Sequence, residues 1–119
     1  MNSEVMKIGI LSKQDYMNRT IAIAKGEYKP KQDEPKVWFE SIEAVVKVLN
    51  QENRILLKLI DKHNPHFIAE LEKISHRSKS TLSKALKLLE RRGIVQLCRE
   101  KGKIIPKVQA THFKVELTF

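Results

Sequence analysis

Twelve side chains between Arg77 and Lys107 have the types and spacing needed to hold a polyanion: Arg77, Ser78, Lys79, Ser80, Thr81, Lys84, Lys87, Arg91, Arg99, Lys101, Lys103 and Lys107. Short hydroxyl side chains reach base edges or phosphates by hydrogen bonding, whereas long cations suit phosphate oxygens. The same stretch carries ten cations against only Glu90 and Glu100, so it holds eight of the chain's nine net positive charges. Charge concentrated in about a quarter of the sequence predicts a localised contact surface and not a uniformly basic protein.

Those residues need a scaffold. From Ser78 to Arg92 the 3.6-residue period puts Leu82, Ala85, Leu86 and Leu89 on one side of a helix. Ser80, Lys84, Lys87 and Arg91 then fall opposite, with Thr81 on the flank. No acidic residue on that outer face supplies the i, i+4 pairing of a merely solvated stripe. Ser78 is the expected N-cap, and Gly93 the left-handed residue of a Schellman ending in which Ile94 packs back on Leu89. Beyond Gly93 the period falls to two. It predicts a strand near Ile94 to Arg99, a turn at Lys101-Gly102-Lys103, and a return strand in which Phe113, Val115, Leu117 and Phe119 alternate with His112, Lys114, Glu116 and Thr118. Edge protection by lysine is an equally good explanation of Arg99, Lys101 and Lys103.

Upstream, Ile42, Val45, Val46 and Leu49 form one apolar helical stripe, and Asn50 caps a second helix with Ile55, Leu56, Leu59 and Ile60 inward. Asn64-Pro65 reads as the start of a third, carrying Phe67, Ile68, Leu71 and Ile74. The break from Ser75 to Ser78 lacks the glycine common in a helix-turn-helix, so His76, a residue type tolerated at positive φ, is expected to take that conformation.

The segment SKSTLSKALKLLERRGIV resembles the recognition helix and first wing strand of MarR-like winged-helix regulators, with its hydroxyl-rich start, leucine ladder, basic pair, glycine and aliphatic strand. The resemblance extends over Trp38 to Phe119. The whole chain is also similar to a group of small prokaryotic regulators that includes antitoxin components. It implies an α+β, mainly α, winged helix-turn-helix with a two-stranded wing, binding double-stranded DNA in a sequence-specific manner as a transcriptional regulator. The alternative it carries is an antitoxin-like module that masks a partner protein from a neighbouring gene.

The first 36 residues are expected to form a strand-helix extension. Met6, Ile8 and Ile10 share one face of a strand from Glu4 to Ile10, and Ser12 to Asp15 supplies a capping box for a helix bearing Tyr16, Met17, Ile21 and Ala24. That helix should end near Gly26. The polar, two-proline segment from Gly26 to Lys36 reads as a linker, so the DNA-binding domain is expected over residues 37–119, opening on Val37-Trp38-Phe39 as a short strand or an apolar anchor. A strand and helix on a linker cannot bury their apolar faces alone, which predicts a homodimer joined largely through Glu4 to Gly26.

Other classes of function find little support. His63, His66, His76, His112 and Cys98 are not spaced as metal ligands, and neither a metal nor another cofactor is expected. No phosphate-binding glycine loop, helical zinc dyad or serine elbow occurs, so no enzymatic activity is expected. With seven aromatics, several at core positions, there is no stacking platform for single-stranded RNA. A lone cysteine, no apolar run of membrane-spanning length and no secretory pattern predict a cytoplasmic protein without a membrane partner.

Overall fold

A computed structural model describes residues 5–66 and 68–117 of the chain. The alternating apolar residues at its start form strand β1 (Val5–Ile10). Ser12 then caps helix α1 (Lys13–Ala24), its hydroxyl accepting a hydrogen bond of 3.1 Å from the Asp15 backbone N–H. Gly26, at φ 77°, closes that helix. Val37-Trp38-Phe39 is a strand, β2 (Val37–Phe39).

Both β2 and β5 (His112–Glu116) run parallel to β1, in the order β2-β1-β5. Parallel neighbours require a crossover. Helix α1 and residues 25–36 are that crossover between β1 and β2. The N-terminal strand is therefore the middle of a sheet completed by its own chain, with Ile8 fully buried in the core. It has no free edge to offer a symmetry mate, because β2 and β5 occupy both. Nor is the polar segment a slack tether. Arg19 of α1 pairs with Glu34 at 3.1 Å, the Tyr28 hydroxyl donates to Glu34, and the Lys7 ammonium donates to the Asp33 carbonyl at 2.7 Å.

The helical body follows: α2 (Ile42–Val48), α3 (Gln51–His63), α4 (Ile68–Ser75) and α5 (Lys79–Arg91). Ser41, Asn50 and Ser78 cap α2, α3 and α5 through their side-chain oxygens. In α2 the buried side is Val45 and Val48, while Ile42 and Val46 lie exposed; in α3 Leu57 is buried and Ile55 exposed. Both segments are nearly continuous apolar runs, IEAVVKV and ILLKLI, so periodicity could not choose the inward face. Asn64 does not start the next helix. It ends α3 in the left-handed region at φ 48°, its N–H donating to the Ile60 carbonyl, and Pro65 and His66 after it are not helical.

The largest revision concerns the C-terminal strands. Strand β3 (Val95–Glu100) returns through β4 (Lys103–Val108) as an antiparallel hairpin, while His112–Glu116 leaves to pair with β1. The two-residue turn explains the short return: Lys101 at φ 51° and Gly102 at φ 76° have the positive values that a hairpin with matched twist requires. Pro106 lies within β4 opposite Leu97, and in a two-stranded ribbon a proline can occupy an edge without losing a ladder bond. Glu4, Phe67, Thr118 and Phe119 lie outside the described residues.

The described residues thus make an α+β fold with five helices and five strands. Fully buried Leu56, Leu71, Leu82, Leu86, Leu89 and Ile94 form its centre, and Phe39 and Ile8 join it from the sheet. Among the described residues no helix is long and apolar enough to cross a membrane.

Candidate nucleic-acid interface

Helix α5 is held by its leucines and displays the rest. Leu82, Leu86 and Leu89 are buried at the junction with α4 and β3, whereas Ser80, Lys84, Lys87 and Arg91 are exposed on the opposite side. None of the ion pairs among the described residues involves Lys84, Lys87 or Arg91. Lys79 opens the helix on the flank of that stripe, exposed to solvent.

The entry to α5 is fixed by local hydrogen bonds. His76 adopts φ 60°, the left-handed conformation expected of it in place of glycine. Ser78 accepts from the Thr81 N–H at 3.2 Å and its hydroxyl contacts the Thr81 hydroxyl at 2.9 Å, so both side chains stay polar, exposed and oriented at the helix start. Arg77 behaves differently from the other cations. It is half-buried and its guanidinium donates to the Glu52 carbonyl at the start of α3 at 3.2 Å, bracing the turn.

At the other end, Gly93 at φ 78° lets Ile94 N–H donate to the Leu89 carbonyl at 2.9 Å and Gly93 N–H to the Glu90 carbonyl at 3.0 Å, the two bonds of a Schellman ending. The basic pair divides there. Arg91 points out, while Arg92 stacks over the Phe39 ring at 4.5 Å and approaches Glu40 at 3.5 Å. A backbone hydrogen bond at Glu40, followed by the one from Arg92, holds the Glu40 carboxyl below its ordinary pKa.

The hairpin does not present its cations on one face. Arg99 shares a face with Val95 and Leu97, whereas Lys103 and Lys107 share the other with Cys98 and Ile105. Lys101 occupies the turn itself, and Lys103 lies across from Glu100. All four are exposed. Cys98 is half-buried within the ribbon. His63, His66, His76 and His112 sit at the end of α3, before α4, in the turn before α5 and on β5. Among the described residues no three His, Cys, Asp or Glu side chains gather as a metal site would require.

A profile of the HVO_A0114 family matches residues 48–115, more than half of the chain. The chain belongs to the HVO_A0114 family. The matched stretch runs from the end of α2 to β5, so the family's region includes α4, α5 and the hairpin together, while β1, α1 and β2 precede it. No curated protein and no solved structure matches the chain.

What sequence reasoning missed was the sheet. Its signal was present in the N-terminal third, where a strand, a twelve-residue helix and a second strand follow one another at the spacing of a parallel crossover unit. The Arg77 brace had no such signal, since its partner is a backbone carbonyl 25 residues away.

Proposed function

We propose that this HVO_A0114 family member is a winged helix-turn-helix protein of MarR-like type that binds double-stranded DNA and acts in the cytoplasm as a transcriptional regulator, most simply a repressor occupying its operator. In this reading α4, the His76 turn and α5 are the helix-turn-helix, and β3-β4 is the wing. The observation that carries it is the outer stripe of α5, where Lys84, Lys87 and Arg91 stand exposed without an acidic partner beside the hydroxyls of Ser80 and Thr81. Such a stripe offers small polar groups to base edges and long cations to the flanking phosphates. A homodimer would place two such helices on half-sites about one turn of DNA, roughly 10 base pairs, apart.

Fragments of the source genome selected by the full-length protein give the site, and binding to it is then measured against a random duplex over a range of salt. Tight, salt-sensitive and sequence-dependent binding supports the reading. Absence of salt-dependent binding to any duplex refutes it.

A second reading rests on a different observation. Tyr16, Met17 and Ile21 are large apolar residues left exposed on α1, at 44%, 54% and 46%. They favour a protein partner, as an antitoxin-like masking module would have, and the two roles are compatible in one chain. Stable, stoichiometric association with the neighbouring gene's product, lost in Met17→Glu, is its test.

A further inference from the structure

Strand β5 is one of the two edges of the three-stranded sheet, β2 being the other, and it is exposed along most of its length. An open edge carries unpaired backbone donors and acceptors and invites another strand. On one face of β5 lie the apolar Phe113 and Val115, and Leu117 follows just beyond the strand; Val115 and Leu117 are exposed at 47% and 56%. On the other lie His112, Lys114 and Glu116.

Lys114 is poorly served within its own chain. Its cross-strand neighbour on β1 is Lys7, a like charge, and none of the ion pairs among the described residues includes it. Glu116 lies 3.8 Å from Lys7.

We propose that β5 pairs antiparallel with β5 of a second copy of this chain, about a twofold axis through Val115, to make one continuous six-stranded sheet. That register places Lys114 opposite Glu116 in the other copy, twice by symmetry, and gives each Glu116 a place between two lysines. It also sets Phe113 opposite Leu117, so the apolar residues of both strands share one face. Alternative registers fail on charge or on side-chain face. An axis through Lys114 brings the two lysines together, and a one-residue slip sets Lys114 against Val115. The self-complementary pattern is what an isologous interface needs. The proposal is independent of nucleic-acid binding, because it is tested without DNA.

Sedimentation velocity over a concentration series is run on the full chain, on Lys114→Glu, on Glu116→Lys and on the doubly substituted chain, with far-UV circular dichroism confirming that each is folded. The unsubstituted chain is expected to dimerise, and each single substitution to raise the dissociation constant by about tenfold or more, since two attractive pairs become repulsive. The charge-swapped double variant should recover dimerisation. An equimolar mixture of the two single variants should form heterodimers, because each Glu then meets a Lys across the axis; a purely structural loss would not be rescued by mixing. A chain that is monomeric at every concentration overturns the proposal, as does a dimer indifferent to both charge reversals. A dimer that dissociates in Ile21→Glu but survives Lys114→Glu places the contact on α1 and overturns it equally.

Discussion

Helices α1 and α5 have nearly the same length, 12 and 13 residues, yet they satisfy opposite requirements. Helix α5 buries three leucines completely and turns unpaired cations to the solvent. Helix α1 buries no residue fully, and its inward contact is polar and aromatic. The Arg19 guanidinium stacks over Trp38 at 4.8 Å and over Tyr28 at 5.9 Å while paired with Glu34. Meanwhile α1 leaves Tyr16, Met17 and Ile21 outside. Ordinary burial explains the inner face of α5 and the clasp explains how α1 is fastened. Neither explains the two outer faces, cationic on one helix and apolar on the other. Those faces cost solubility or self-repulsion and remain largely open to solvent, which is why they are where partners should be sought.

The largest expected effect breaks the comparison on stability. Leu89→Ala removes a fully buried side chain beneath α5 and should cost about 2–5 kcal/mol in urea unfolding. Ile21→Ala on α1 should change the monomer's stability by no more than about 0.5 kcal/mol, because its side chain is already half in water. Equal losses in the two variants would mean that α1 is packed as α5 is.

A second substitution sharpens the α1 side. Gly9 lies under Trp38, and a Cβ at that position would run into the indole ring. The ring belongs to the stack with Arg19 and cannot move without releasing the clasp. Gly9→Ala should therefore cost about 1–3 kcal/mol. It should also change the emission of Trp38, the only tryptophan, before global unfolding. An unaltered spectrum and melting curve would show that the ring has somewhere to go.

The same contrast explains how much was legible in the sequence. Caps and endings were readable because they are local: Ser12, Asn50, Ser78, His76 and Gly93 each act on residues within one turn. The α5 stripe was readable because leucines and cations separate cleanly on its wheel. Inward faces failed in α2 and α3, where apolar residues surround much of the helix and only neighbours decide. Strand partners failed for a related reason. The alternation of Phe113, Val115 and Leu117 identifies a strand but not its mate, and nothing local told that β1, more than a hundred residues earlier, would take the place assigned to β3. Eleven of the twelve candidate contact residues lie exposed, whereas Arg77 is half-buried against the start of α3 and the hairpin cations divide between two faces.

On the α5 side, helix and hairpin should fail differently if the proposed roles hold. Lys84→Ala, or Thr81→Ala, should reduce the preference for cognate over random duplex, by about 1–3 kcal/mol where a good base contact is lost. Lys101→Ala should weaken binding to both duplexes alike and lower the salt slope by about one unit. Titrations at several salt concentrations on both duplexes distinguish them. Altered sequence preference in Lys101→Ala alone would transfer the reading role to the hairpin.

The smallest effect is expected at Glu40, which joins the two regions. Its carboxyl meets Arg92 from the end of α5 and feels the charge of Lys13 at the start of α1. A backbone hydrogen bond at Glu40 and the one from Arg92 lower its pKa in the folded chain. Because the folded value lies below the unfolded one, the ionised carboxylate contributes stability that is complete above the unfolded pKa, about 4.3, and disappears as pH falls through the folded value. The group is more than half exposed, with a side-chain accessibility of 55%, so solvent screening keeps the contribution small. Glu40→Gln should accordingly melt slightly below the unsubstituted chain near neutrality, and the gap should close as pH falls below the unfolded value and through the lowered folded one. Thermal unfolding of both proteins across that range measures it. A gap that stays constant or widens on acidification would mean that the Glu40 hydrogen bonds, not its charge, join α5 to the sheet.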